Sequence, residues 1–323
     1  MYFDLHCDTL TAIDDLSHGL GQVSVDKLVQ AGCAAQCFAI FLDKRQGPLW
    51  PRFEAYCERL GELVAQDDRL QQVCDPLDLE SCMQSGKVAA LLAVEGGDLL
   101  GENISNLDRL YRRGVRLLTL CWNYPNALGY PNVDCSLPRL HIDVRSTDSR
   151  GLTPFGVEVV SRMNQLGMIV DVSHLSDGGF WDALHLSRAP IVASHSNARA
   201  LCPVGRNLSD EMIAALAAKG GVAGLNFCYD FLSDTGGEVA DLYVAHARHI
   251  YAVGGEDVLA IGSDFDGIPR LAGCDCTLLP ILFDRLCRWL PPRVVDKMMM
   301  GNAYRVWREV QNAKTVSNQG RSV

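Results

Sequence analysis

Six residues able to bind metal ions or move protons recur at one kind of position along this chain. His6 and Asp8 lie at period-two spacing in the apolar run Tyr2-Phe3-Asp4-Leu5-His6-Cys7-Asp8. In an extended strand, side chains i and i+2 share a face, so His6 and Asp8 project together while Cys7 turns to the other side, into the core. Glu95, His174, His195 and Asp264 each stand at or just past the C-terminal end of a later apolar run. Taken singly, each has an ordinary explanation. A His at a strand end is commonly just hydrogen-bonded, Glu95 before Gly96 and Gly97 could cap a helix, and Asp264 with Asp266 could shape a turn at Gly267. Six such residues at the same kind of edge point instead to a metal centre.

Imidazoles and carboxylates without thiolates suit zinc or another first-row divalent ion in a catalytic site that keeps a position open. Three His and two or three carboxylates exceed what one tetrahedral ion uses. A bridging carboxylate lets two ions sit roughly 3.5–4 Å apart and share a hydroxide. Glu95 is the natural bridge, with His6 and Asp8 completing one ion's shell and His174 and His195 the other's.

Placing these residues on one rim requires strands that all end on the same side. Apolar, β-branched-rich runs predict strands at Tyr2 to Asp8, Cys33 to Leu42, Lys87 to Val94, Val115 to Leu120, Met168 to Val172, Pro190 to Ala193, Gly221 to Asn226 and Val258 to Ile261. Between them, helical periodicity marks Val25 to Ala31, Phe53 to Ala65, Asn103 to Arg113, Pro154 to Leu166, Gly179 to Leu186, Ser209 to Ala218 and Val239 to Val253. Thr153 and Ser209 are in place as N-caps. Tyr124 to Thr153, rich in Pro, Asn, Asp and Ser, reads as a long loop of the kind that is functional or disordered. Two or three helices end the chain. Eight strand-helix units without a domain-sized break predict an α/β fold, a closed (β/α)8 TIM barrel with additional C-terminal helices, and residues 1–323 read as a single domain. The active site of such a barrel lies at the C-terminal ends of its strands.

Composition narrows the function. A formal charge of −10, with no cluster of Lys and Arg on one face, argues against nucleic acid as a partner. No apolar run approaches the roughly 18–20 residues that span a bilayer, so no membrane partner is expected. A strand that begins at the second residue leaves no room for an export signal, which places the protein in the cytoplasm. In that compartment the thirteen cysteines read as buried, reduced thiols, and Cys274-x-Cys276 as a structural loop feature.

Six motifs together resemble the renal, or membrane, dipeptidase family of zinc peptidases. They are D-L-H-C-D-T at the start, A-V-E-G-G at Ala93 to Gly97, V-D-V-S-H at Val170 to His174, A-S-H-S-N-A-R at Ala193 to Arg199, G-R-N-L at Gly205 to Leu208 and G-S-D-F-D-G at Gly262 to Gly267. The resemblance runs from residue 2 to about Val310. It implies a (β/α)8 barrel with a binuclear zinc site that hydrolyses dipeptides, often tolerating a D-residue at the C-terminal position. Residue by residue, it implies that His6, Asp8, Glu95, His174 and His195 are metal ligands, Asp264 the catalytic carboxylate and Arg206 a substrate-binding arginine. Two departures stand out. Animal members carry a substrate-contacting histidine after the fourth strand, where this chain reads Leu120-Cys121-Trp122-Asn123, so that Trp122 takes that place with Asn123 beside it. The protein is also expected to lack the secretion signal and lipid-anchor tail of the animal enzymes.

The mechanism so implied has a metal-bridged hydroxide attacking the peptide carbonyl and Asp264 carrying a proton to the leaving amine. Arg206 grips the free C-terminal carboxylate with a two-pronged hydrogen bond, which restricts the enzyme to very short peptides. Two other classes of answer compete. Related barrels act on cyclic amides, lactones and phosphotriesters, although many of these use a carboxylated lysine where Glu95 stands. A non-catalytic metal- or peptide-binding barrel would be expected to lose its proton shuttle, yet Asp264 is present. The side-chain preference and the oligomeric state, homodimer included, are left open.

Overall fold

The computed structural model describes residues 1–13, 21–138, 142–268 and 274–319. Its strands are β1 (Tyr2–Cys7), β2 (Cys33–Phe41), β3 (Leu70–Gln72), β4 (Val88–Glu95), β5 (Val115–Thr119), β6 (Ile169–Asp171), β7 (Val192–Ala193), β8 (Val222–Leu225) and β9 (Leu259–Ile261). All pairings are parallel. Eight strands close a ring in the order β1-β2-β4-β5-β6-β7-β8-β9, sealed by β1 against β9 and β2 against β4. This is the expected (β/α)8 barrel. The remaining strand, β3, pairs only with the first residues of β4, Leu70 against Val88.

Buried side chains form two sets that follow strand alternation. Phe3, Leu5, Ala35, Cys37, Ala39, Ala89, Leu91 and Ala93 pack together inside the ring, with Val306, Trp307 and Val310 of the helix Asn302–Gln319 against them. Phe38, Ile40, Ala90, Leu92, Val94 and Val170 pack outward against the helices. One irregularity matters for function. β1 places Phe3 and Leu5 inside, so simple alternation would turn His6 outward. Its pairing with β2 instead steps from Asp4↔Gln36 to Cys7↔Phe38, an extra residue on β1. That bulge reverses the alternation: Cys7 joins the outer core, as expected of it, and His6 points into the barrel mouth.

Helix bounds differ from the sequence expectations by a few residues, as frayed ends do. Among the elements that escaped the periodicity reading are β3, the one-turn helices Thr9–Ala12 and Tyr229–Leu232, and the helix Pro76–Gln84, whose Asp75 carboxylate accepts from the Leu77 and Asp78 amides. The stretch from 124 to 153 contains, among the described residues, no helix or strand beyond an isolated bridge of Pro131 to Leu175. It is nevertheless pinned, because Asn132 donates to Asp177 at 2.7 Å and to the Gly205 carbonyl at 2.9 Å and accepts from the Asp148 amide at 2.8 Å. All thirteen cysteines are free, with Cys274 and Cys276 buried. No helix among the described residues is long and apolar enough to cross a membrane.

Candidate metal centre and active site

The strand ends bring the sequence-predicted ligands together. Among the described residues, ligand atoms of His6, Asp8 and Glu95, of Glu95, His174 and His195, and of His6, His195 and Asp264 form groups within 4.8 Å of one another. Glu95, the last residue of β4, stands between the first two groups. Its Oε2 faces His6 Nε2 at 3.9 Å, while its Oε1 lies 3.0 Å from His174 Nε2 and 3.5 Å from His195 Nε2. His6 Nε2 is also 3.3 Å from Asp8 Oδ2 and 3.8 Å from Asp264 Oδ1.

The hydrogen bonds behind the two later imidazoles decide which nitrogens face the centre. His174 Nδ1 is 2.7 Å from the Asn123 amide oxygen, an acceptor, so Nδ1 carries the proton. His195 Nδ1 is 2.7 Å from the Ser194 hydroxyl, which donates its own proton to the Asp171 carboxylate at 2.6 Å and therefore accepts from Nδ1. Both Nε2 atoms are left with lone pairs, and they face each other at 2.9 Å. Burial, with the nearby positive charges of Arg206 and His6, pushes both histidines well below the ordinary imidazole range. Two neutral nitrogens and a carboxylate oxygen converging in this way repel one another unless a cation lies among them. The donor set therefore fits a metal ion.

Charge leads to the same result. Burial drives Glu95 well above the carboxylate range, and the neighbouring Asp8 adds to the effect. His6 is buried too, which works against its protonation, but the charges of Asp8 and Glu95 push it up to about 10. A cluster that resists ionising its carboxylates and holds a proton on its histidine is short of positive charge, and divalent ions supply it.

Backbone geometry aims these groups. His174 and Asp264 adopt left-handed φ of 69° and 62°, and Asp266 follows at 66°. Each such residue costs about 1–2 kcal/mol, tolerated here because the turn swings the side chain off its strand and into the mouth. Gly267 is needed for a related reason, since a Cβ there would lie 2.0 Å from Asp8 Oδ2. Asp264 is further held by Asn226, whose amide donates to Oδ2 at 2.8 Å, leaving Oδ1 toward His6. Burial, opposed in part by the His6 charge, pushes Asp264 up to about 7.

Beside the ligands opens a cavity of about 390 Å³ lined by Asp8, Glu95, Trp122, Asn123, His174 and Asp264, among others. Trp122 packs at a tilt between Phe41 at 4.5 Å and Tyr124 at 4.9 Å, so it forms an apolar wall. Arg206 is not on this wall. It borders a small adjoining pocket with His174 and Ser196, buried, its guanidinium donating to the His195 carbonyl at 3.2 Å and to Ser196 Oγ at 3.4 Å. Among the described residues no carboxylate lies within ion-pair distance of it, and Asp210 pairs with His249 instead. The residues that sequence reasoning missed are Asp171, Ser194 and Asn226. The first two stand inside the V-D-V-S-H and A-S-H-S-N-A-R motifs, but their partnership is visible only across strands.

The comparisons with known proteins agree with this geometry. The model of the membrane dipeptidase family (peptidase family M19) matches residues 1–321. An uncharacterized protein of Klebsiella pneumoniae is 37% identical over 261 residues, 78% of this chain and 93% of that protein. The dipeptidase tcpJ of Claviceps purpurea is 31% identical over 333 residues, 96% of this chain and 74% of its own. Among solved structures, a metallopeptidase from Rhodobacter sphaeroides bound to a phosphinate mimic of the dipeptide L-Ala-D-Ala superposes with a TM-score of 0.83 at 27% identity, covering 96% of this chain and 99% of the other. The family model over nearly the whole chain and a relative above 30% identity show that the chain belongs to the membrane dipeptidase family of metallopeptidases.

Proposed function

We propose that this protein hydrolyses dipeptides, those with a C-terminal D-residue included, with two zinc ions held by His6, Asp8, Glu95, His174 and His195. The observation that carries the reading is Glu95, which turns one oxygen toward His6 and the other toward His174 and His195. When bound, the ions supply Lewis acidity, polarising the scissile carbonyl and making water nucleophilic near neutral pH. Asp264, fixed at Oδ2 by Asn226 and open at Oδ1, takes the proton of the attacking water and delivers it to the leaving amine. Arg206, buried and hydrogen-bonded to neutral acceptors, binds the substrate's C-terminal carboxylate and so limits the substrate to two residues. Trp122 and the Phe41 ring packed against it offer apolar surface to the substrate, and Asn123 serves it indirectly by setting the His174 tautomer. Dipeptides whose C-terminal residue is L or D, a tripeptide and a lactone, offered to the zinc-loaded protein, test the reading. Cleavage of dipeptides alone is expected. Cleavage of the lactone without the dipeptides would overturn it.

A further inference from the structure

We propose that Arg52 makes this site selective for dipeptides whose N-terminal residue carries a side-chain carboxylate, an inference that rests on the dipeptidase reading above. The ring order decides where the two ends of a substrate go. In β1-β2-β4-β5-β6-β7-β8-β9, β2 and β7 stand on opposite sides. Arg206 belongs to the connection that follows β7, and the helix Leu49–Gln66 belongs to the one that follows β2. A dipeptide with its C-terminal carboxylate at Arg206 and its scissile carbonyl at the ligand cluster therefore directs its N-terminal residue toward the β2 side. The cavity wall there is built by Phe41, Gln46, Arg52, Tyr56 and Trp122.

Arg52 and Tyr56 are four residues apart on one face of that helix, as their shared place on the wall requires. Arg52 is held in place without being neutralised. One terminal nitrogen donates to the Asp43 carbonyl at 2.9 Å and the other to Gln46 Oε1 at 3.0 Å, both uncharged acceptors. A guanidinium has five N–H donors, so capacity remains for a ligand. The nearby carboxylates have closer partners, although Asp43 also feels the Arg52 charge. Arg45 closes on Asp43 with bonds of 2.9 and 2.7 Å, and Asp98 pairs with Lys44 at 3.1 Å. Asp266 accepts from the Thr9 hydroxyl and the Gln22 amide, both at 2.7 Å, while Asp8, Glu95 and Asp264 belong to the metal cluster. Among the described residues lining the cavity, Arg52 is the one cationic side chain. It also stands in the first turn of an 18-residue helix that has no acidic residue there, where the helix dipole disfavours a cation. An anionic ligand resolves both conditions. The Phe41 and Trp122 rings cover the methylene stem of an aspartyl or glutamyl side chain, and the guanidinium takes its carboxylate.

The experiment compares kcat/KM of the zinc-loaded protein for glutamyl-alanine, glutaminyl-alanine and lysyl-alanine. Wild type is expected to favour glutamyl- over glutaminyl-alanine by roughly tenfold or more, the strength of a charge-assisted pair at a partly open site. Arg52→Met should bring that ratio near one, Arg52→Lys should retain part of it, and Arg52→Glu should shift the preference toward lysyl-alanine. Brace loss in the 43–46 turn would lower all three substrates together and leave the ratios alone. Equal rates on glutamyl- and glutaminyl-alanine in wild type, or a ratio that neither Met nor Glu at this position moves, would overturn the assignment of Arg52 while the dipeptidase reading stands. Absence of cleavage of every dipeptide would overturn that reading and this inference with it.

Discussion

Removal of one hydroxyl, in Ser194→Ala, tests whether the hydrogen-bond chain from Asp171 through Ser194 sets the metal-binding face of His195. The Ser194 Oγ is fully buried between Asp171 Oδ2 at 2.6 Å and His195 Nδ1 at 2.7 Å. Without it, the Nδ1 proton has no acceptor in a buried site, and leaving such a donor unmade costs about 1–3 kcal/mol. The imidazole avoids that cost by moving its proton to Nε2, the atom proposed to bind metal, or by turning its ring. Either way the loss appears in metal affinity, and partners of this kind typically govern it by about 10–100-fold. That range corresponds to roughly 1.4–2.8 kcal/mol, in line with the cost of the lost bond. The assay is competition for zinc between the metal-free protein and a chromophoric chelator. His195 lies both with Glu95 and His174 and with His6 and Asp264, but its Nε2 is nearest His174 Nε2 at 2.9 Å, so the binding step on the His174 side should weaken the more. Ser173→Ala is the comparison, since Ser173 Oγ accepts from the His195 backbone amide at 3.1 Å and lies 3.3 Å from Ser194 Oγ, yet offers the imidazole ring no acceptor of its own. If Ser194→Ala binds both ions with wild-type affinity, the tautomer argument is wrong. If Ser173→Ala weakens zinc equally, the effect is local packing and not the imidazole's proton.

Three further outcomes follow from the same geometry. Glu95→Ala should lose both ions together, because its two oxygens serve separate groups, and elemental analysis that finds one ion retained would end the case for a bridge. Asp264→Asn keeps its place beside Asn226 and should keep the metals, yet an amide cannot carry a proton, so kcat should fall roughly 10²–10⁴-fold; near-normal turnover would remove Asp264 from the proton path. Arg206→Ala should reduce kcat/KM for free dipeptides by about 2–4 kcal/mol in transition-state binding, the cost of depriving a desolvated carboxylate of its partner. The same dipeptides amidated at the C-terminus should lose far less, and equal losses on both would show that the buried guanidinium supports the His195 carbonyl without meeting the substrate.

Much of this protein is determined by its sequence alone, because the relevant physics is local. Alternating apolar runs and helical periods place eight barrel strands, and barrel chemistry collects at strand ends, so His6, Asp8, Glu95, His174, His195 and Asp264 could be named before any contact was seen. Short elements without a full period were not legible in this way. β3 has three residues and the helix Pro76–Gln84 has an uneven pattern, though the Asp75 cap ahead of Pro76 was a usable signal. Tertiary structure decided the rest. Period-two spacing says that His6 and Asp8 share a face, but which face depends on the bulge that β1 makes against β2. The left-handed turns at His174 and Asp264 are held only because neighbouring strands surround them. Asp171 and Ser194, 23 residues apart, meet because β6 pairs with β7. Arg206 lies in a side pocket beside His174, hydrogen-bonded to the His195 carbonyl and Ser196 hydroxyl, a setting that its place eleven residues after His195 does not reveal. A period fixes what a residue shares with the next turn of its own chain. The proton on an imidazole, or the unneutralised charge on a guanidinium, depends on atoms from distant segments, and only closure of the barrel brings those within reach.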